Sequence, residues 1–336
     1  MAFRIDPYPG FSWSITRQRM LDTCPRQYFY RYYLSHNGWL DGVPERSRLA
    51  YRLTKLTSLD AILGQEMDER GREIEARVRA GEPPPSAAEL EERTRLALRA
   101  AWKSARDERA AFERSPKRTV MLRSFYLENE PPDTQETDRV NAKIAACTAN
   151  LLAVPDWRTI AECGEEGCVL IPDFAGFVLD EVTIFAAADL AYLADGVLHV
   201  IDWKSGRRGD TDSTQALLSA YCTGLDAPLG PDAPPGPDGL AGLDAPGGLD
   251  RGLTDCPRPR LRPVLHYLFS GESVEPAIPA DLAQFARDTV APGIRAMRDL
   301  LVDPVENAPL PEDEFARRES GLCRGHCNFS PLCEVR

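Results

Sequence analysis

The stretch FAAADLAYLADGVLHVIDWKSG, residues 185–206, decides the fold. Two apolar runs flank Asp195-Gly196, the residue pair that favours the left-handed two-residue turn of a β-hairpin. Pairing Ala194 with Val197 and counting outward sets Asp189 opposite Asp202, at the spacing of about 4.5–5.5 Å between Cα atoms that such pairs adopt. Like charges placed this way in apolar strands are destabilising unless something neutralises them. Lys204 follows Asp202 by two residues and, by the period of a strand, shares its face. Two carboxylates and an ammonium thus converge on a mostly buried sheet. A divalent cation held by the acids, with the lysine aimed at an adjacent water or phosphate oxygen, would satisfy all three. A buried Asp-Lys ion pair with the second acid solvated is the plain structural alternative.

Downstream, Ser205-Gly206-Arg207-Arg208 leads to a helix capped by Asp212 or Ser213 that ends near Gly224, with Gln215 in its first turn. A glutamine there can orient a water or touch a nucleic-acid backbone, or simply be solvated. Upstream, residues 58–79 form a helix capped by Ser58, with Leu59, Ile62, Leu63, Ile74 and Val78 as its apolar stripe. Gly64, Asp68 and Gly71 share another face of that helix. Glycine in a helix interior costs about 1 kcal/mol relative to alanine, so two of them flanking an acid mark a face that something approaches closely, or plain tolerance of weak helix formers.

Residues 80–155 read as a helical insertion, opened by Pro83-Pro84-Pro85 and by the capping-box pair Ser86 and Glu89, with a long helix to about 112 and another over 137–153. Arginines on the first of these alternate with acids, which describes a solvated face. The core sheet and the Gln215 helix occupy 156–224, with strands over 168–204. Residues 225–263 are crowded with Pro, Gly and Asp, show no periodicity and read as a mobile surface insertion. A last strand over 264–269 and a helix over 281–301 bent at Pro292 fill 264–322, and a cysteine-rich tail covers 323–336.

The chain has 336 residues with 43% hydrophobic and 27% charged, enough to bury a sizeable core. Lys+Arg total 40 against 52 Asp+Glu, a net charge of −12 that repels polyanions, so any contact with nucleic acid must be local. No segment approaches the run of about 18 apolar residues that a membrane span requires, and MAFRIDPYPG lacks the apolar stretch of a signal peptide. A cytoplasmic protein with no membrane partner is expected, in which the nine cysteines are thiols or metal ligands rather than a disulfide framework.

Cys323, Cys327 and Cys333 lie together near the end, one ligand short of a tetrahedral site, and Cys24, followed by Pro25, is the natural fourth. Four thiolates suit a [4Fe-4S] cluster or structural Zn²⁺, and with zinc His326 could replace Cys323 or Cys327. Cys147, Cys163, Cys168, Cys222 and Cys256 show no ligand spacing. The first segment, 1–57, also holds the aromatic-basic run that includes Arg26, Tyr28, Phe29, Tyr30, Arg31 and Tyr32. Its rings either stack on unpaired bases or pack as core.

An Asp, then Asp-x-Lys on the next strand, then a helix with an early Gln, resembles the PD-(D/E)xK nuclease superfamily, and within it the RecB-like exonuclease branch. The Cys24 and C-terminal cysteine set is similar to the iron-sulfur staple of AddB-type and CRISPR-adaptation exonucleases of that branch. Its members commonly space the first two C-terminal cysteines by two residues, where Cys323 and Cys327 are separated by three. The resemblance implies an α/β fold with a restriction-endonuclease-like mixed central sheet flanked by helices, and a cluster that joins the N- and C-terminal segments. It implies a Mg²⁺- or Mn²⁺-dependent DNA nuclease, an exonuclease on single strands or DNA ends that works in repair, recombination or defence, with a helicase or repair partner. Asp189 and Asp202 would hold the metal, Lys204 would stabilise the attacking group, and Arg26, Arg31, Arg207 and Arg208 would meet the nucleic acid. Where the branch carries a histidine four residues after a glycine, this chain has Asp68, itself an acceptable ligand for a hard cation. Gln215 is followed four residues on by Ser219, not by the branch's tyrosine, with Tyr221 two further. A catalytically weak DNA-end-binding or assembly subunit that keeps fold and cluster is the alternative.

Overall fold

The computed structural model describes residues 6–164, 168–169, 175–224, 260–318, 323 and 327–333. The Asp195-Gly196 turn forms as its residues dictate, both at positive φ (49° and 72°). It joins β7 (Leu190–Ala194) to β8 (Val197–Lys204) in the register counted from the sequence, Ala194 facing Val197 and Leu190 facing Ile201. β9 (Arg260–Tyr267) runs parallel to β8, while β4 (Cys168–Val169) and β10 (Glu272–Val274) close the edges antiparallel, so the order is β10-β9-β8-β7-β4. β1 (Ser12–Ser14), β6 (Val182–Phe185) and β5 (Gly176–Leu179) form a second, three-stranded sheet that is also mixed.

Helices cover both faces of the five-stranded sheet. α9 (Asp212–Gly224) lies on one, where Ala216 packs with Leu265 and Tyr267, and Ala220 packs with Ala191, Leu198 and Val200. The opposite face meets α4 (Leu59–Arg79), α5 (Ala87–Asp107), α7 (Thr134–Leu152) and α8 (Asp156–Cys163), whose apolar stripes form one core with Leu190, Tyr192, Ile201 and Trp203. The helices of 80–155 therefore share the core of the sheet they cover. Ser58 caps α4 and Ser86 with Glu89 makes the capping box of α5, both as their residues predict. α5 stops at Asp107 instead of running to about 112, and a separate turn, α6 (Arg109–Arg114), buries Phe112.

Ser14 caps α1 (Ile15–Thr23), which ends at Cys24 before α2 (Pro25–Phe29), the break that Pro25 imposes. A π-helical turn, Tyr30–Leu34, and α3 (Glu45–Thr54) follow. Tyr28, Tyr30 and Tyr32 are buried and Phe29 packs beside them, so these rings are core rather than stacking surfaces. Short pairs β2 (Leu56–Thr57) with β3 (Met121–Leu122), and β11 (Leu301–Asp303) with β12 (Ala308–Pro309), form two further sheets, and the long α10 (Leu282–Arg298), which packs on α9 and β1, carries Pro292 inside it. The tail ends in α11 (Ser330–Cys333). The strand expected over 264–269 as the last is β9; it begins at Arg260, earlier than its apolar pattern suggests, and β10, β11 and β12 follow it. Most of the Pro/Gly-rich stretch, residues 225–259, lies outside the described residues.

Candidate active site

The sheet delivers the predicted acids to one place by an irregular ladder end. Asp189 precedes β7, its own N–H donating to the Ile201 carbonyl (3.0 Å). Its Oδ2 accepts the backbone N–H of Trp203 (2.8 Å), which turns the carboxylate toward Asp202 and Lys204. Asp202 is only 3% exposed. Its Oδ2 lies 2.6 Å from Lys204 Nζ but takes no well-aligned hydrogen bond, and the amide of Gln215, from the first turn of α9, approaches Oδ1 at 3.5 Å. A carboxylate this buried is costly, and the ammonium that faces it is shared with Asp189 and Asp212.

Asp68 arrives from α4 by way of Trp203. The indole N–H donates to Asp68 Oδ1 (3.0 Å), and the ring lies flush against Gly71, where an added Cβ would fall inside the indole. At Gly64 a Cβ would meet Ser205 Oγ at 3.4 Å. The two glycines thus admit the end of β8, and it is Trp203 and Ser205 that approach the Asp68 face. Gly71→Ala should lower stability by about 1–3 kcal/mol, the usual result of overpacking, and thermal or denaturant unfolding checks it; an unchanged midpoint would mean that the contact with Trp203 is loose.

The electrostatics agree with the geometry. Burial pushes the Asp189 carboxyl well above its usual range, and the charges of Asp202 and Asp68 push it further, against the Trp203 N–H and Lys204. Burial likewise raises Asp202 and Asp68, with Lys204 opposing at Asp202 and the Trp203 indole opposing at Asp68. Burial alone would lower Lys204, but Asp202, Asp189 and Asp212 raise it, so the ammonium stays charged. Among the described residues no three His, Cys, Asp or Glu side chains form a ready-made metal cage. Two carboxylates suffice for Mg²⁺ or Mn²⁺, which usually takes one or two and fills its remaining positions with water and substrate phosphate. The buried carboxylate of Asp202 and the displaced titration of Asp189 fit such a cation.

Asp212 is the first residue of α9 rather than its cap. It is buried and accepts from Gly209 N (2.7 Å) and Tyr267 Oη (3.0 Å), which pins the loop carrying Ser205 to Arg208. Ser219 donates to the Ala187 carbonyl (3.0 Å), and Tyr221 packs edge-on against Phe177, away from a Gln-x3-Tyr role. Arg207 and Arg208 are exposed, Arg208 being 4.0 Å from Glu272. Arg26 is engaged inside the molecule, with Glu312 (3.0 Å) and the Phe315 carbonyl (2.8 Å), and Arg31 donates to the Thr54 carbonyl (2.7 Å).

Trp203 as the bridge between Asp189 and Asp68 was not legible in the sequence, although it is the middle residue of Asp-x-Lys. Nor was a buried network on the opposite face of the sheet. There Asp156 accepts from Tyr192 Oη (2.6 Å), its other oxygen lies 3.1 Å from His266 Nε2, and His266 Nδ1 is 2.8 Å from Ser273 Oγ. Burial would raise Asp156, but the hydrogen bonds from His266 and Tyr192 outweigh it and hold the carboxyl below its usual value. Asp156 opens a short helix, and nothing in its sequence neighbourhood separates it from an ordinary first-turn acid.

Cys24, Cys323 and Cys333 lie near enough to Cys327 to act on it electrostatically, but among the described residues no three of them form a group that could hold a metal ion. Burial raises the Cys327 thiol, and Cys333, Cys24 and Cys323 raise it further. Cys333 is raised by burial and by Cys24, and lowered by the Tyr30 hydroxyl and by Arg317 and Arg26. Thiolates are the ligands that zinc and iron-sulfur clusters take, and Arg317 and Arg26 lie close enough to Cys333 to act on it. His326 lies outside the described residues.

A mixed sheet whose central hairpin presents two acids and a lysine, with helices on both faces, defines an α/β protein of the nuclease type. Residues 12–334 match the family model of the PD-(D/E)XK nuclease superfamily, and the chain belongs to that superfamily. No curated protein matches it. Among the described residues no helix is long and apolar enough to cross a membrane.

Proposed function

We propose that the chain is a Mg²⁺- or Mn²⁺-dependent exonuclease that hydrolyses DNA at single strands or ends, in repair, recombination or defence, with a helicase or repair protein as its partner. The observation that carries this reading is the convergence of Asp189, Asp202 and Lys204, with the buried Asp202 carboxylate 2.6 Å from the lysine ammonium and Asp189 held by the Trp203 N–H. Asp189 and Asp202 would hold the cation, and Asp68 would add charge from α4. When bound, the cation lowers the pKa of water and offsets the charge of the scissile phosphate. Lys204, kept charged by three carboxylates, is placed to stabilise the oxygen that attacks phosphorus. Gln215, 3.5 Å from Asp202 Oδ1, would steady that carboxylate. The Trp203 backbone and indole fix Asp189 and Asp68 in relation to each other, so the acids need not reorganise during turnover. The C-terminal cysteines with Cys24 would hold a [4Fe-4S] cluster, with zinc as the rival.

Asp68 favours a second reading, a weakly catalytic DNA-end-binding subunit, because one of its oxygens is already taken by the Trp203 indole. The test of both is cleavage of labelled single-stranded and duplex DNA by the anaerobically purified protein with Mn²⁺, Mg²⁺ or chelator. Shortening from the ends with metal alone is the expected result. Tight DNA binding with no cleavage under any metal would replace the first reading with the second.

A further inference from the structure

A shallow basic cleft that shares no residue with the carboxylate site opens between α1, the π-helical turn and α3. Arg17, Arg31 and Lys55 line it together with His36, Trp39 and Tyr51, and no carboxylate side chain is among its lining residues. Asp6 lies at the His36 edge of the cleft, its carbonyl 3.0 Å from the ring, and in a chain of net charge −12 three cations on one lining are a local concentration of positive charge.

Two features go beyond charge. Arg17 is 3% exposed, yet neither it nor Arg31 has an ion-pair partner among the described residues. Arg17 is held by the Ser12 carbonyl (3.1 Å) and by the Tyr32 ring, 4.3 Å from its guanidinium carbon. A buried guanidinium is normally compensated by an anion, and the cleft is where one could reach it. Beside it Trp39 is 51% exposed, unusual for so large an aromatic, and is propped edge-on by His36 (6.1 Å) and against Tyr51 (5.5 Å). The turn that supplies Arg31 is π-helical, closed by Ser35 N to the Tyr30 carbonyl (3.2 Å), a widened geometry that often marks functional positions.

We infer that this cleft seats a backbone phosphate of an unpaired nucleic-acid strand, with the neighbouring base stacked on Trp39. A phosphate supplies the anion that Arg17 and Arg31 lack, and an exposed, propped indole is the sequence-tolerant platform that single-strand binding uses. The inference rests on the nuclease reading, because it takes the strand to be the protein's substrate.

The test is anisotropy of a labelled single-stranded oligonucleotide with the full chain in chelator, so that no cleavage intervenes. Trp39→Ala should weaken binding about tenfold, and Arg31→Gln should weaken it and flatten the dependence on log salt by about one phosphate contact. An oligonucleotide bearing 5-iodouracil should photo-crosslink to Trp39 in the unmodified protein, a readout that needs no variant to fold. Equal affinity of both variants with no crosslink at Trp39 would overturn the cleft and leave the nuclease reading intact. Displacement of the strand from the cleft by a mononucleotide at equal concentration would overturn the strand assignment in favour of a free nucleotide. Loss of cleavage is read separately, with Asp202→Asn, so a failure of the nuclease reading is seen in that assay and not in this one.

Discussion

Asp202→Asn should reduce metal-dependent DNA cleavage by on the order of 10³-fold or more, while its unfolding midpoint stays the same or rises. The first half follows from position. Asp202 is buried, 2.6 Å from Lys204 Nζ and 3.5 Å from the Gln215 amide. The second half follows from the balance of charges. Burial penalises the Asp202 carboxylate, and its main compensation is one ammonium that Asp189 and Asp212 also attract. Asparagine keeps the volume, removes a buried charge and leaves Lys204 with those two acids and partial exposure to water. Replacing a poorly compensated buried ion is commonly neutral or stabilising. Lys204→Gln separates the roles further. It should abolish most cleavage yet keep or tighten Mn²⁺ binding, since it removes a cation 2.6 Å from Asp202 Oδ2; Mn²⁺ electron paramagnetic resonance with a parallel cleavage assay measures both. Full activity in Asp202→Asn, or Mn²⁺ binding lost in Lys204→Gln but kept in Asp202→Asn, would reverse the assignment of ligand and lysine.

The geometry behind that prediction was legible wherever local rules decide it. A two-residue Asp-Gly turn fixes a register, and a register fixes which side chains share a face, so Asp189, Asp202 and Lys204 could be placed together from residues 185–206 alone. The caps of α1, α4 and α5 follow from a serine and its third neighbour. What could not be read depends on partners distant in sequence. Trp203 finds Asp68 only because Gly71 lets α4 pack against the indole, and the glycine-flanked face that sequence could mark as a close approach did not reveal what approached. Arg26 lies in a basic segment, yet its partner Glu312 is nearly the whole chain away, and that ion pair turns an apparent surface cation into a strut. Asp156 and His266 meet across the sheet for the same reason.

Glu312 bears directly on the second large effect, expected at Cys333. It accepts from Tyr30 Oη (2.9 Å) and Arg26 (3.0 Å) and takes both Arg46 donors (2.6 and 2.7 Å), so the N- and C-terminal segments are already tied by an ionic clamp. Asn328 adds donors to the Leu53 and Leu56 carbonyls (3.2 and 3.1 Å), and Tyr30 also donates to the Leu332 carbonyl (3.1 Å). A clamp of this kind contributes about 1–3 kcal/mol, whereas a four-thiolate centre contributes about 10 kcal/mol or more to the state that binds it. Cys333→Ser should therefore lower the thermal midpoint by on the order of 10 °C and remove any iron with its visible absorption, while Glu312→Gln should lower the midpoint by only a few degrees and keep the metal. The ranking follows from what each change releases. If the proposed centre is present, loss of one thiolate would free it whole, and Cys24, Cys323 and Cys327 would lose the cation that offsets their charges. Loss of Glu312 leaves Arg26 bonded to the Phe315 carbonyl, with Tyr30 still held by Leu332. Elemental analysis and calorimetry on anaerobically purified protein decide it. If Cys333→Ser melts with the unmodified protein and the unmodified protein holds neither iron nor zinc, the two chain ends are joined by hydrogen bonds and the Glu312 ion pairs without a metal, and the cysteines are packing.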